Sequence, residues 1–245
     1  MAETIARTGS GRELMRLLGQ VLKKDIKNLH LTVHPPLGQV RIVAPERMPL
    51  DTIRLYAISK LPWLRRQLAT MKAQEREPAR EYIDRESHFV WGKRYLLRVV
   101  ERDTAPAVEL KRRELLLYVR PGADKIRRHK LLAASYRNQV RTIALPLLAK
   151  WARVLKVKVG SLFVRRMKTK WGSCNPTMAT IRLNTELAKK PLACLEYVLV
   201  HELAHLIEPT HNGRFRAILN RHLPQWPHLR DDLNRAPLAD VDWDC

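Results

Sequence analysis

Alternating apolar and polar residues characterise the first half of the chain, and this period of two predicts short strands. Residues 29–34 and 39–44 alternate on either side of Pro35-Pro36-Leu37-Gly38, which predicts a hairpin with a longer loop. Two further pairs of runs predict two more hairpins: 88–91 with 95–101, and 108–110 with 115–119.

Helical spacing accompanies these strands. A weak helical pattern extends to about Lys24. Asp51 is placed to cap a helix that runs to about Lys60, and Pro62 either restarts or kinks that helix. The polar segment 74–78 is typical of a linker.

The second half is more strongly helical. Apolar residues at helical spacing predict a long helix over 124–155, interrupted near Pro146. Strands are predicted at 157–166, 169–174 and 177–184, with Asn175-Pro176 as a turn. A helix starting at Pro191 and another over 212–222 follow. The resulting fold class is α+β.

The helix that starts at Pro191 contains the most informative motif, His201-Glu202-x-x-His205. Residues four apart share one face of a helix, so both imidazoles can bind one metal ion. Pro209 disfavours helix at the preceding residue and predicts a helix end near Ile207. The chain can then turn and bring His211 back to the same metal.

Three protein ligands with one open position for water are typical of a catalytic zinc site, so the cofactor predicted is Zn²⁺. Glu202 is placed to deprotonate a zinc-bound water, which predicts the catalytic base. Two alternatives stay open: a chance occurrence of the motif on an amphipathic helix, and Glu208 in place of His211 as third ligand. Tyr197, Arg182, His222 and His228 are candidates for stabilising an oxyanion.

Composition indicates the cellular compartment in which the protein is expected. No apolar run approaches the ~20 residues that a membrane span needs, and residues 1–20 lack the apolar core of a signal peptide. Three cysteines, at 174, 194 and 245, are a sparse and odd set that suits a reducing compartment. We therefore expect a cytoplasmic protein with no membrane association.

The net charge of +22 is unevenly distributed. Residues 111–170 contain 18 Lys or Arg against Glu114 and Asp124. A field of this sign attracts polyanions, so nucleic acid and nucleotides are candidate partners, although the same charge also suits a merely soluble basic surface.

The chain resembles the YgjP-like (DUF45) family of zinc metallopeptidases, which is related in motif to the SprT and WLM groups of the zincin superfamily. The resemblance rests on Lys170-Trp-Gly-Ser-Cys174, Ile181-Arg-Leu-Asn184, the segment 197–206, and His211 followed by Phe215. It also includes the basic N-terminal hairpin and Ala44-Pro45, and extends to about Trp226.

The resemblance implies a zincin-like catalytic core with a long helix, a small, mostly antiparallel sheet and the HExxH helix, preceded by a region rich in β-hairpins. The expected divisions are 1–120, 121–235 and an acidic tail, 236–245. It also implies that His201, His205 and His211 bind zinc and that Glu202 is the general base. The substrate-cleft candidates are Trp171, Gly172, Ser173, Cys174 and Asn184.

The function predicted is zinc-dependent hydrolysis of peptide bonds in a protein or peptide substrate, with possible action near nucleic acid. Two other functions remain open. The same centre could hydrolyse a nucleotide phosphoanhydride, with residues 111–170 holding the phosphates. Alternatively, the chain is chiefly a DNA-associated factor with SprT-like protease activity.

Overall fold

The computed structural model describes residues 18–34, 39–73, 80–167 and 170–235, and these form two compact units that divide between Arg76 and Glu77. The predicted linker at 74–78 and the predicted acidic tail at 236–245 lie outside the described residues. Within the described ranges, no helix combines the length and apolar character that crossing a bilayer requires. The α+β class is confirmed, since every sheet is accompanied by helices.

The first unit is a small sheet with two helices. It contains β1 (Leu18–Lys24), β2 (His30–His34), β3 (Gln39–Pro45), α1 (Leu50–Ser59) and α2 (Leu61–Ala73). The sheet order is β1-β3-β2, with β2 antiparallel and β1 parallel to β3. In the central strand, β3, every second residue is apolar and buried. The core of this unit comprises Val40, Ile42, Ala44, Ile53, Ala57, Leu61 and Leu64.

Two predictions for this unit are wrong. The segment ending at Lys24 was expected to be helical, but its residues 18–24 form β1 because pairing along β3 outweighs a weak helical pattern. Asp51 does not cap α1: the capping position is Pro49, without a side-chain hydrogen bond, and Asp51 bonds to Arg54 at 3.3 Å within the first turn. The hairpin of β2 and β3 is confirmed, although its loop at 35–38 is not described.

The second unit begins with a four-stranded sheet. Its strands are β4 (Ser87–Val90), β5 (Lys93–Glu101), β6 (Ala107–Lys111) and β7 (Glu114–Val119), in the order β4-β5-β7-β6. Both predicted hairpins are present as antiparallel pairs, β4 with β5 and β6 with β7. The two hairpins join through the parallel pairing of β5 and β7.

A helix of 31 residues, α3 (Lys125–Leu155), follows this sheet. Asp124 caps it by accepting a hydrogen bond from the Arg127 backbone N–H at 2.8 Å. The predicted interruption near Pro146 is wrong, since the helix continues through that residue. Pro146 costs one backbone hydrogen bond, but buried neighbours such as Ala144 and Trp151 keep both halves packed.

The remaining elements surround the motif. They are β8 (Ser161–Arg165), β9 (Gly172–Asn175), β10 (Thr180–Asn184), a 3₁₀ helix (Thr185–Lys189), α4 (Leu192–Ala204), α5 (Gly213–His222) and α6 (Trp226–Arg235). The 3₁₀ helix and α6 were not predicted. The sheet was expected to be mostly antiparallel, but it is mixed: β10 lies between β8 and β9, parallel to the first and antiparallel to the second.

The second unit has one core, to which both halves of the unit contribute. Leu97, Leu115 and Leu117 from the four-stranded sheet lie in the same buried cluster as α3 and α4, whose contributions include Leu132, Tyr136, Val140, Leu195, Leu199 and Leu203. The sequence-based division at residue 120 separated the sheet from these helices. In the described residues 80–235, the sheet and these helices share one core and belong to one unit.

Candidate metal centre

Helix α4 places the motif against the core. Pro191 occupies its N-terminal capping position, and the face carrying Leu195, Leu199 and Leu203 is fully buried. The helix ends at Ala204, whose carbonyl accepts hydrogen bonds from the backbone of Ile207 and Glu208. The chain therefore turns immediately after His205, three residues before the predicted helix end.

This turn brings three histidines together. Ligand atoms of His201, His205 and His211 all lie within 4.8 Å of one another, and the two Nε2 atoms of His201 and His211 are 3.1 Å apart. Two nitrogens bound to one tetrahedral zinc are about 3.3 Å apart, given Zn–N distances of ~2.0–2.1 Å. The donor atoms present therefore fit a zinc ion.

The protonation of these imidazoles also suits a metal. Burial, together with the neighbouring His205 and His211, lowers the pKa of His201 to about 4. Burial likewise lowers the pKa of His205. Both rings are therefore neutral at pH 7, as metal binding requires.

Neighbouring groups fix the orientation of the rings. Nδ1 of His205 lies 3.3 Å from the backbone carbonyl of Glu208, which leaves Nε2 for a metal. Nδ1 of His201 is buried without a hydrogen-bond partner among the described residues, and Nε2 of that ring is the nitrogen that faces the cluster, 3.1 Å from His211 Nε2. Tyr197 packs edge-on against His201, with the ring centroids 5.8 Å apart.

Phe215 lies against all three histidines. Its ring centroid is 4.9 Å from that of His201 and 4.7 Å from those of His205 and His211. The ring is buried, and its backbone N–H is bonded to the Asn212 side chain that caps α5. The sequence pattern placed Phe215 four residues after His211 but gave it no role. In the structure, its ring forms the apolar surface on which the three imidazoles pack.

Glu202 is buried, with 6% of its surface exposed. Burial raises the pKa of its carboxyl to about 7, opposed by the positive charge of Lys170. Gly172 of β9 packs directly against it: a Cβ atom at this position would lie 2.6 Å from Glu202 Oε1 and 2.8 Å from Val198 Cγ1. Only glycine allows the strand to approach the carboxylate this closely.

In the rest of the Lys-Trp-Gly-Ser-Cys segment, Trp171, Ser173 and Cys174 are half-buried and Lys170 is exposed. Cys174 lies near Glu202: burial raises the pKa of its thiol to about 11, with a further contribution from the Glu202 carboxylate. The Lys190 ammonium lies 5.6 Å from the centre of the Trp171 ring. Ser173 pairs with Arg182 across the sheet. The segment predicted to border the cleft therefore lies beside Glu202, with Gly172 in direct contact.

Asn184 lies behind the cleft and fastens the segment that leads into β9. Its side-chain N–H₂ donates to the carbonyls of Met167 and Lys170, both at 2.8 Å. Its Oδ1 accepts from the backbone of Met167 at 3.3 Å and of Glu186 at 3.1 Å. With the side chain buried and fully engaged, Asn184 has a structural contact set rather than one that faces a substrate.

The side chains of the rival ligand and of the oxyanion candidates have contacts of other kinds. The Glu208 carboxylate accepts hydrogen bonds from the Thr210 hydroxyl at 2.8 Å and backbone at 3.3 Å, and it is outside the histidine cluster. His222 packs edge-on against Trp151. Tyr197 lies behind His201, stacked on Trp226. No contact of Arg182 or His228 with the cluster is found within the described residues.

Comparison with known proteins is consistent with this centre. The family model for the YgjP-like metallopeptidase domain matches residues 27–236, which is most of the chain. No curated protein matches.

Two solved structures show weaker similarity. The metallopeptidase zymogen of Pyrococcus abyssi abylysin is 22% identical, with 38% of this chain and 97% of that chain covered and a TM-score of 0.34. The metallopeptidase zymogen of Methanocaldococcus jannaschii jannalysin is 19% identical, with 36% and 90% covered and a TM-score of 0.33. TM-scores this low establish no shared fold.

Proposed function

The chain belongs to the YgjP-like metallopeptidases, and we propose that it hydrolyses peptide bonds with a zinc ion held by His201, His205 and His211 and with Glu202 as general base. The observation that carries this proposal is that ligand atoms of His201 and His205, at the end of α4, and of His211, beyond the following turn, all lie within 4.8 Å of one another. A zincin-like core is part of the same proposal.

A zinc ion held by these three histidines would supply Lewis acidity, which polarises a scissile carbonyl and lowers the pKa of the attacking water. The chain's own contribution is the movement of the proton. Glu202 accepts a proton from the attacking water and returns it to the leaving nitrogen. Its burial beneath Gly172 holds the carboxylate in one place and excludes competing solvent.

The position of β9 favours an extended peptide as substrate. In the order β8-β10-β9, β9 is an edge strand within the described sheet, and it includes Gly172 beside Glu202. An edge strand offers backbone N–H and C=O groups to which a peptide can add as a further strand. Backbone pairing of this kind selects for an unfolded or extended chain rather than for a particular side chain.

Exposed basic residues on α3 and between β6 and β7, together called the basic face, support a second element of the proposal: association with a nucleic acid or nucleotide. Arg127, Lys130 and Arg141 on α3, together with Arg112 and Arg113, are all exposed. When such cations bind a polyanion they release its counterions, so the affinity for the polyanion would fall steeply as the salt concentration rises. In this version the peptidase acts on proteins near nucleic acid.

The test is cleavage of an unfolded protein by the zinc-loaded wild type and by Glu202→Gln, each with and without DNA. We expect Glu202→Gln to retain zinc and to lose activity about 10²- to 10⁴-fold, since general base catalysis is removed. Glu208→Gln is the matched control, because Glu208 is a nearby carboxylate outside the cluster.

Full cleavage by Glu202→Gln would reject Glu202 as the base. Faster cleavage with DNA would assign a purpose to the basic face. Turnover of nucleoside triphosphates without any peptide cleavage would replace the peptidase by a phosphoanhydride hydrolase.

A further inference from the structure

A cavity lies in the second unit, lined by residues other than those of the histidine cluster. It has a volume of about 190 Å³ and is enclosed by the segment that precedes β4, one face of α3, Arg166 after β8 and the 3₁₀ helix. None of the residues that line this cavity has a role in the proposed peptide hydrolysis.

The wall of the cavity is rich in cations. Arg80, Arg137, Arg166 and Lys189 all line it, and they come from four separate elements. Among the lining residues the carboxylate is Glu186, which is 2.7 Å from Lys189; Glu86, outside the lining, is 3.6 Å from Arg80. Four cationic groups against two carboxylates leave an excess of positive charge around an enclosed space, and such a space attracts an anion.

A buried hydroxyl is an independent indication of a ligand. Thr185 lines the cavity and is only 5% exposed, yet its Oγ1 atom has no hydrogen-bond partner among the described residues. Buried polar atoms are nearly always paired, since an unpaired one costs about 1–3 kcal/mol. An anionic oxygen in the cavity would accept this hydrogen bond.

We propose that this cavity is a binding site for a phosphate group, either free or carried by a small organic molecule. Cations arriving from several directions, together with a hydroxyl, match an anion whose oxygens point outward tetrahedrally. The cavity is several times the ~30 Å³ that one water occupies, so it has room for a phosphate and a small substituent. Arg137, exposed at the rim, recruits the anion, and Thr185 binds one oxygen at depth.

The experiment is calorimetric titration of the full-length, zinc-loaded protein with inorganic phosphate, glycerol phosphate and acetate at matched ionic strength. Thr185→Val and Arg137→Gln are the test variants. The first removes only a hydroxyl that has no partner, so folding should survive. Arg221→Gln is the control, because Arg221 is an exposed arginine on α5 that does not line the cavity.

We expect saturable phosphate binding that becomes about tenfold weaker in each test variant and stays unchanged in the control, since a charge-assisted hydrogen bond is lost. Tighter binding of glycerol phosphate than of phosphate would assign the site to a phosphorylated molecule, and the reverse order to free phosphate. Absence of saturable binding, binding of acetate alone, or affinity unaffected by both test variants would overturn the proposal. None of these readouts depends on peptidase activity.

Discussion

Glu202 lies between two regions that are built in different ways. On one side, α4 and the turn after it carry the three histidines within a short stretch of chain. On the other side, Gly172 reaches the carboxylate from a separate strand, and its approach is maintained by the buried Asn184 side chain. The metal cluster thus depends on local helix geometry, whereas the position of the base depends on tertiary packing.

This contrast predicts that the two sides fail differently. Damage to the turn should remove the metal and leave the fold intact, because His211 is exposed and contributes little to the core. Damage to the strand side should leave the metal in place and impair either the base or the stability of the fold.

The largest effect is expected from His211→Ala. Loss of one of three protein ligands should abolish stoichiometric zinc binding and reduce peptide cleavage below detection. Metal content after desalting, measured by atomic absorption, checks this expectation. His228→Ala is the control, since it removes an exposed histidine that is not in the cluster.

Full zinc content in His211→Ala would contradict the ligand assignment. The double variant His211→Ala, Glu208→Gln would then show whether Glu208 had replaced it.

The next effect is expected from Gly172→Ala. Its methyl group would meet Glu202 Oε1 at 2.6 Å, so either the carboxylate or the strand must shift. A misplacement of about 1 Å at a catalytic group can cost about 10²-fold in rate, and we expect a loss of this size with zinc retained. Steady-state cleavage rates combined with metal analysis measure it.

Gly213→Ala is the matched control, since a Cβ atom there meets nothing within 4 Å. Equal activity of Gly172→Ala and Gly213→Ala would show that the close approach of β9 has no catalytic importance.

The two sides also differed in how much the sequence revealed. His201, His205 and the turn toward His211 follow from helical spacing and from Pro209, which act over a few residues. The contact of Gly172 with Glu202 could not be derived, because a glycine in a short segment does not indicate what approaches it. Asn184 was placed in the cleft for a similar reason: three of its four side-chain hydrogen bonds are with Met167 and Lys170, which are distant in sequence and which no local pattern indicates.

The segment 18–24 shows the same limitation. Its pattern of apolar residues was compatible with a helix, and only pairing with β3 decides for a strand. The mixed sheet was missed likewise, since the insertion of β10 between β8 and β9 is a choice of topology rather than of residue type.

A smaller effect is expected from Asn184→Ala, which tests the strand side through stability. Truncation would leave the carbonyls of Met167 and Lys170 without their donor, and the free energy of unfolding should fall by about 3 kcal/mol. Urea denaturation measures this change.

Asn175→Ala is the comparison, because the Asn175 side chain accepts one hydrogen bond, from the Met178 backbone at 3.1 Å. It should cost about 1 kcal/mol. Equal losses for the two variants would remove the special importance of Asn184.

The smallest effect is expected where α4 meets α3. Glu196 accepts hydrogen bonds from Trp151 Nε1 at 2.7 Å and Lys150 Nζ at 3.0 Å. Burial raises the pKa of this carboxyl, but the bonds to Lys150 and Trp151 outweigh it, and the net pKa lies below the ordinary 4.5. A carboxylate with a lowered pKa stabilises the fold above its unfolded-state pKa, and this contribution is lost as pH falls through the folded-state value.

Glu196→Gln should therefore cost about 1 kcal/mol at pH 7. The difference from wild type should shrink below about pH 4.5, as measured by urea denaturation across pH. A difference that grew on acidification would contradict the ionised state of Glu196, and zinc content should be unchanged throughout because the carboxylate lies outside the histidine cluster.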